Sequence, residues 1–339
     1  MAYFVPKPKN MQNPIIDLHC DMLSYLAKVP AASPFSKDDI ACAIPFLKSG
    51  EVRMQVMAIY TDVKEESMNL ALKQATIFSQ LLEKHTIDLE LVTKAFLQNW
   101  ENQSKIGIIA SIENAAGLGN ESASMKEVYQ QFDDILEKTK ALAYVSLTHH
   151  TENRFGGGNY TEGIGLKEDG KRVLDYMHGK KIPIDLSHTS DLLAEGIFNH
   201  IDQAGLDVPI IASHSNFRSI WNHKRNLTDE FAKEISKRGG IIGVNFLRAF
   251  LDNDHPERIL EHLSYGFELC GDDTICFGAD FFYTKDFGDP SRIPFYFPMV
   301  ENSSKYPSLL EALSSDLNEQ QQSNLAYGNA LNFYKKLWS

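Results

Sequence analysis

Three side chains of the types that bind divalent cations, Asp17, His19 and Asp21, fall within five positions of the run Ile-Ile-Asp-Leu-His-Cys-Asp-Met-Leu at residues 15–23. If the run is a strand, alternation puts those three on one face and Ile16, Leu18 and Cys20 on the other. Two carboxylates and an imidazole on a buried strand face are costly unless a cation or a dense set of hydrogen bonds offsets their desolvation, so the His-x-Asp pair points to a metal. Alone, the pair also fits a hydrogen-bonded strand end, and the rest of the chain has to supply partners.

The partners sit at regular places. Apolar runs at residues 52–60, 105–113, 141–149, 181–188, 208–214, 239–246 and 274–280 read as further strands. Helical signals lie between them. Met68, Leu72, Ala75, Phe78 and Leu82 recur at helical period within residues 65–84, Ser124 and Glu127 form a capping-box pattern, and Ser190 is placed to cap the helix through Leu193 and Ile197. Two last helices are expected, one near residues 307–313 and one opened by Asn318 that runs towards Trp338. Eight apolar strands alternating with helices, without hairpin signals, predict a closed parallel (β/α)8 TIM barrel forming one domain over residues 1–339 with C-terminal helices. His19 and Asp21, Glu113, His149, His188, His214 and Asp280 all fall at the carboxyl end of a predicted strand. Six strands converging on one rim with such residues predict a metal site there.

Bulk properties narrow the chemistry. The chain has 339 residues, 43% of them hydrophobic, and a formal net charge of -12; its pI is near 5.4. That balance, with no cluster of Lys and Arg, argues against a nucleic-acid partner and favours a small molecule. Residues 1–10 carry Pro6 and Pro8 but no apolar signal core, and no apolar run is long enough to span a bilayer, so a cytoplasmic protein without a membrane partner is expected. Cys20, Cys42, Cys270 and Cys276 lack C-x-x-C spacing and predict buried thiols without a disulfide.

In several stretches the chain resembles the membrane (renal-type) dipeptidases and their bacterial relatives, zinc peptidases of the amidohydrolase-like barrels. The matching residues include Asp17-Leu-His19-Cys-Asp21, Ser111-Ile-Glu113, Ser146-Leu-Thr148-His149, Ile184-Asp-Leu-Ser-His188, Ser213-His214-Ser215, Arg225-Asn226, Val244-Asn245-Phe246, Gly278-Ala-Asp280 and Ser304-Lys-Tyr-Pro307. The resemblance implies two Zn2+ ions per chain, one held by His19, Asp21 and Glu113 and the other by Glu113, His188 and His214, with Glu113 bridging. Mn2+ or Co2+ would also suit so carboxylate-rich a set. Where mammalian members read Asn-Phe-Tyr this chain reads Asn245-Phe246-Leu247, and where they read Gly-Asp-Phe-Asp-Gly it reads Ala279-Asp280-Phe281-Phe282-Tyr283.

The expected activity is hydrolysis of free dipeptides, with L-D dipeptides among the candidates, by a hydroxide shared between the ions. Asp280 reads either as a terminal ligand or, preferably, as the base that carries a proton to the leaving amine. His149 is expected to donate to the oxyanion, and Arg225 to hold the substrate carboxylate as the resemblance implies. Asp185 is an outer partner for the liganding imidazoles; Asn153 and Tyr283 are expected on rim loops near the substrate. The glycine run at residues 156–158 reads as a flexible rim loop, and the aromatic stretch at 281–297 as either a substrate wall or a subunit contact, which would fit a homodimer. The competing reading keeps barrel and metals but changes the substrate to a cyclic amide, a lactone or a phosphoester.

Overall fold

The computed structural model describes residues 13–287 and 289–339, so the opening segment at residues 1–10 lies outside the described residues. Among the described residues nine strands are present: β1 Ile15–Cys20, β2 Val52–Tyr60, β3 Leu89–Leu91, β4 Ile106–Glu113, β5 Leu142–Ser146, β6 Ile184–Asp185, β7 Ile210–Ile211, β8 Ile242–Val244 and β9 Ile275–Phe277. All pairings between them are parallel, in the order β7-β6-β5-β4-β2-β1-β9-β8, and an Ala212 to Ile242 bridge joins the two ends into a ring. This is the (β/α)8 barrel that the alternating pattern predicts. The short β3 was not foreseen; it runs beside the first half of β4, from Ile106 to Ile108.

Two apolar layers hold the ring. Ile16, Leu18, Met54, Val56, Ile109, Ala143 and Tyr144 fill one cluster with Ala330, Leu331 and Tyr334 of the closing helix Asn329–Leu337. That helix packs on the amino-terminal side of the barrel, where Asn329 Nδ2 donates to Ile275 O at 3.0 Å. The second, larger cluster lies between strands and outer helices, with Ile108, Ala110 and Ile112 of β4 facing Phe78, Val128 and Phe132. A strand buried along its whole length, as β4 is, must be largely apolar on both faces, and apart from Ser111 its sequence is so up to the terminal Glu113.

Several predicted strands end early, and the reason is the site. Residues 181–188 were expected as one strand, but Pro183 brings no N–H to the ladder and Ser187 turns its N–H onto Asp185 Oδ1 (3.0 Å), leaving only Ile184–Asp185 paired. The predicted caps are present: Ser124 and Glu127 satisfy each other's backbone N–H, and Ser190 accepts from Leu193 N. The helix opened by Asn318 is interrupted by a π turn at Asn324–Gly328. All four cysteines are free thiols, and none of the described helices is long and apolar enough to cross a membrane.

One buried histidine ties the fold to pH. His262 is fully buried, accepts from Phe217 N at Nδ1 (3.3 Å) and faces Leu251 O with Nε2 (3.1 Å), an arrangement that suits only the neutral imidazole. Burial pushes its pKa down to about 4, against the opposing pull of the Leu251 carbonyl. The folded value lies below the unfolded one, so the stabilisation is complete above about pH 6.5 and is lost as pH falls towards 4, by about 3 kcal/mol. In urea unfolding, the stability gap between the parent and His262→Gln should therefore be widest above pH 6.5 and shrink by about that amount at pH 4.

Candidate metal centre

Six strands, β1, β4, β5, β6, β7 and β9, deliver the chemistry to the carboxyl-terminal mouth of the barrel. The pairing of β1 with β2 shifts between Asp17 and Cys20, a bulge that breaks the simple alternation expected of the first run. Leu18 joins the barrel interior, His19 turns to the mouth, and Asp21 follows just past the strand end. Asp17 does not join them. Its Oδ1 accepts from His19 N (3.2 Å) and Ala279 N (3.0 Å), fastening β1 to the end of β9.

Glu113 is the last residue of β4, and seven consecutive partners from Met54 to Tyr60 fix it in register beside β2. His188, His214 and Asp280 follow β6, β7 and β9. His188 and Asp280 hold left-handed backbone, with φ of 68° and 64°, as does Asn114 beside Glu113 at 70°. Such conformations cost about 1–3 kcal/mol each in residues other than glycine, and they cluster where side chains must be aimed. Gly278 permits the approach of β7: a methyl group there would come within 2.0 Å of Ser213 O.

The two oxygens of Glu113 face two different sets of partners. Oε2 lies 3.5 Å from His19 Nε2, and that nitrogen is also 3.7 Å from Asp21 Oδ2 and 3.6 Å from Asp280 Oδ1. Oε1 lies 3.0 Å from His188 Nε2 and 3.5 Å from His214 Nε2, and the two imidazole nitrogens are 2.9 Å apart. Ligands of a tetrahedral zinc, each about 2.0–2.1 Å from the ion, stand about 3.3 Å from one another, so both sets have the spacing of a coordination shell. His19 Nε2 is buried and makes no hydrogen bond, as does Asp21 Oδ1. Lone pairs gathered without donors are the condition a cation relieves, and the residues fit two divalent ions.

Outer hydrogen bonds fix which nitrogen is free to bind. Tyr144 Oη donates to Leu18 O (3.1 Å) and so accepts from His19 Nδ1 (2.6 Å), which leaves the Nε2 lone pair for an ion. Ser213 Oγ donates to Asp185 Oδ2 (2.6 Å) and accepts from His214 Nδ1 (2.7 Å), with the same result. Asp185, expected as an outer partner, thus acts on His214 through Ser213 and also receives Ser213 N at 2.7 Å. His188 differs, since its Nδ1 has no partner. Tyr144→Phe should weaken metal binding by about 10–100-fold, measured by competition with a chelator, with the fold intact; unchanged affinity would show that the tautomer is set elsewhere.

Burial dominates the electrostatics. It lowers the pKa of His188, His214 and His149 well below the ordinary imidazole value, and neighbouring cationic groups, Arg225 among them, add to the shift. Neutral rings are the form that ligates. Burial raises Glu113, and pushes Asp280 up to about 7, where His19 opposes the rise and the carboxylates of Asp21 and Glu113 reinforce it. Burial lowers His19 as well, but the Tyr144 oxygen and the carboxylates of Glu113 and Asp21 around it outweigh that and shift it up.

A cavity of about 890 Å3 opens above these groups, with Asp21, Glu113, His149, His188 and Asp280 on its wall. His149 stands 3.9 Å from Glu113 Oε1 through Nε2, packed edge-on against Tyr60. Arg225 does not reach the cavity wall. It is buried, with its terminal nitrogens bound to Ser215 Oγ and His214 O (both 2.8 Å) and its Nε unpartnered. Asn153, expected near the substrate, is also buried: its amide donates to Asn114 Oδ1 and Leu147 O and accepts from Phe155 N, so it braces the loop after β5. Tyr283 does line the cavity.

The glycine run at residues 156–158 is packed rather than flexible. All three are buried, and a methyl on Gly158 would come within 2.1 Å of His149 O, so these glycines let the loop close on the His149 backbone. Residues given no role from sequence also shape the site: Tyr144 and Ser213 as above, Asn245, whose Nδ2 donates to Asp280 Oδ2 (2.8 Å), and His150, which stacks on Tyr160. A tyrosine inside the apolar β5 run and the doublet His149-His150 were the readable signals. His149, His150 and His188 form a further group whose ligand atoms lie within 4.8 Å of one another.

The architecture has close parallels among known proteins. A metallo peptidase from Rhodobacter sphaeroides, solved with a phosphinate mimic of the dipeptide L-Ala-D-Ala, superposes with a TM-score of 0.81 over 97% of this chain and 100% of its own, at 21% identity. An uncharacterized protein in the pqqA 5' region of Klebsiella pneumoniae is 26% identical over 250 residues, covering 68% of this chain and 87% of that protein. Dipeptidase 3 of Mus musculus is 25% identical over 300 residues, 86% of this chain but only 57% of the mouse protein's length. The family model for membrane dipeptidase (peptidase family M19) matches residues 10–337, nearly the whole sequence. On that match the chain belongs to the membrane dipeptidase family, peptidase family M19.

Proposed function

We propose that this protein hydrolyses the peptide bond of free dipeptides using two divalent ions, zinc by the donor set, held by His19, Asp21 and Glu113 on one side and by Glu113, His188 and His214 on the other. The observation that carries the reading is the split engagement of Glu113, with Oε2 at His19 and Oε1 at His188 and His214. The bound ions would supply Lewis acidity and a water made acidic enough to attack a carbonyl near neutral pH.

The chain's own groups do the rest. Asp280 is held by Asn245 at Oδ2, which leaves Oδ1, 3.6 Å from His19 Nε2, to take a proton from the attacking water and pass it to the leaving amine. His149, neutral and 22% exposed at its side chain, is placed to donate to the oxyanion. Arg225 acts from beneath: it fixes the His214 carbonyl and sets a buried positive charge that draws a substrate carboxylate into the mouth, instead of clamping it by two direct bonds. A D-residue on the carboxyl side belongs to the proposal, supported by the dipeptide mimic bound to the Rhodobacter protein.

The test joins metal analysis and kinetics on one sample. About two ions per chain, loss of turnover with a chelator and recovery with zinc are expected, with free dipeptides cleaved far better than the same dipeptides blocked as C-terminal amides. Metal-replete protein that ignores a broad dipeptide panel but opens cyclic amides or lactones would replace this reading.

A further inference from the structure

The loop after Asp280 carries Phe282 and Tyr283, and both line the cavity. They do not stand alone. Phe282, Phe287 and Phe295, all on the cavity wall, form a closed triangle of rings with centroids 5.2–5.4 Å apart. Tyr283 stacks on Tyr25, a further wall residue, at 5.3 Å. The wall is anchored to the catalytic end of β9: Tyr296 Oη donates to Asp280 O (2.6 Å) and accepts from Phe282 N (3.2 Å). Its far side is tied to the loop after β8, where Arg248 N donates to Phe295 O (2.9 Å) and Leu247 bridges to Tyr296.

We infer that this aromatic wall is a side-chain subsite, and that the substrates of the enzyme are dipeptides in which one residue carries an aromatic or other bulky apolar side chain. The inference rests on the dipeptidase reading above and deepens it. A wall fastened to the backbone of Asp280 moves with the reacting groups, so a side chain seated on it also fixes the scissile bond. The cavity, about 890 Å3, lies near the upper end of the roughly 300–1,000 Å3 common for small-molecule sites, and dipeptides of two small residues would leave much of it to water. Phe287 keeps 44% of its surface exposed, an apolar face that a ligand would cover. Asp289 and Arg292 of the same segment pair at 3.8 Å, while Asp286 on the same wall adds a negative charge, so Glu and Lys dipeptides belong in the test beside the apolar ones.

The experiment compares kcat/KM for Ala-Ala with that for Phe-Ala and Ala-Phe, and for the corresponding Glu and Lys dipeptides, on metal-replete protein. The better of the two phenylalanine substrates should exceed Ala-Ala by roughly tenfold or more, and Phe287→Ala and Phe282→Asp should shrink that ratio severalfold. Phe287 is exposed, so its variant keeps the readout even if Phe282→Asp fails to fold; metal content equal to the parent's certifies each protein. Equal rates on Ala-Ala and the phenylalanine substrates, a preference for Glu or Lys, or an unchanged ratio in Phe287→Ala would overturn the inference while leaving the dipeptidase reading standing. Failure to cleave any of the panel would remove both.

Discussion

Glu113→Ala should strip both ion positions at once. Each oxygen of that carboxylate serves a different set of nitrogens, so truncation removes a ligand from His19 and Asp21 and another from His188 and His214 in one step. Metal analysis should fall from about two ions per chain to well under one. Turnover should fall by more than the roughly 10²–10⁴-fold that loss of a general base alone costs. The barrel itself should survive, because the neighbours of Glu113 in β4 are apolar and carry the packing. A variant that kept both ions, or lost only one, would mean the carboxylate does not bridge.

Asp280→Asn separates chemistry from binding. The asparagine is nearly isosteric and can still accept from Asn245 Nδ2, so the loop after β9 should keep its shape. If Asp280 is the proton carrier, kcat should drop about 10²–10⁴-fold while metal content stays near that of the parent. If it is a terminal ligand, the ion held by His19, whose Nε2 is 3.6 Å from Asp280 Oδ1, should be lost or bound far more weakly. Metal content and kcat measured on the same preparation distinguish the two, and little change in either would remove Asp280 from the mechanism.

The sequence made the ligands legible because each sits at the end of an apolar run, and strand ends in such a barrel share one mouth. His19, Glu113, His188, His214 and Asp280 needed only that rule to be brought together, and the structure brings them within ligand spacing. Reading failed where side chains are aimed by non-local backbone. The bulge in β1 parts Asp17 from His19, although alternation would have kept them together. Arg225 faces inward because the Ser215 hydroxyl and the His214 carbonyl claim its donors, a competition that no spacing reveals. The packed glycines at 156–158 were misread for a like reason: a glycine required by a carbonyl pressed against it looks, in sequence, the same as one that confers freedom.

The left-handed residues at the rim set an order of assembly. Asn114, His188 and Asp280 hold backbone that local preference disfavours, and only the surrounding ring of strands can enforce it. If that ring alone enforces it, ions would enter a cage already built, unlike those of small zinc-dependent modules that stay unfolded without metal. Starvation for metal would leave a reservoir of folded, silent protein that can be switched on without resynthesis.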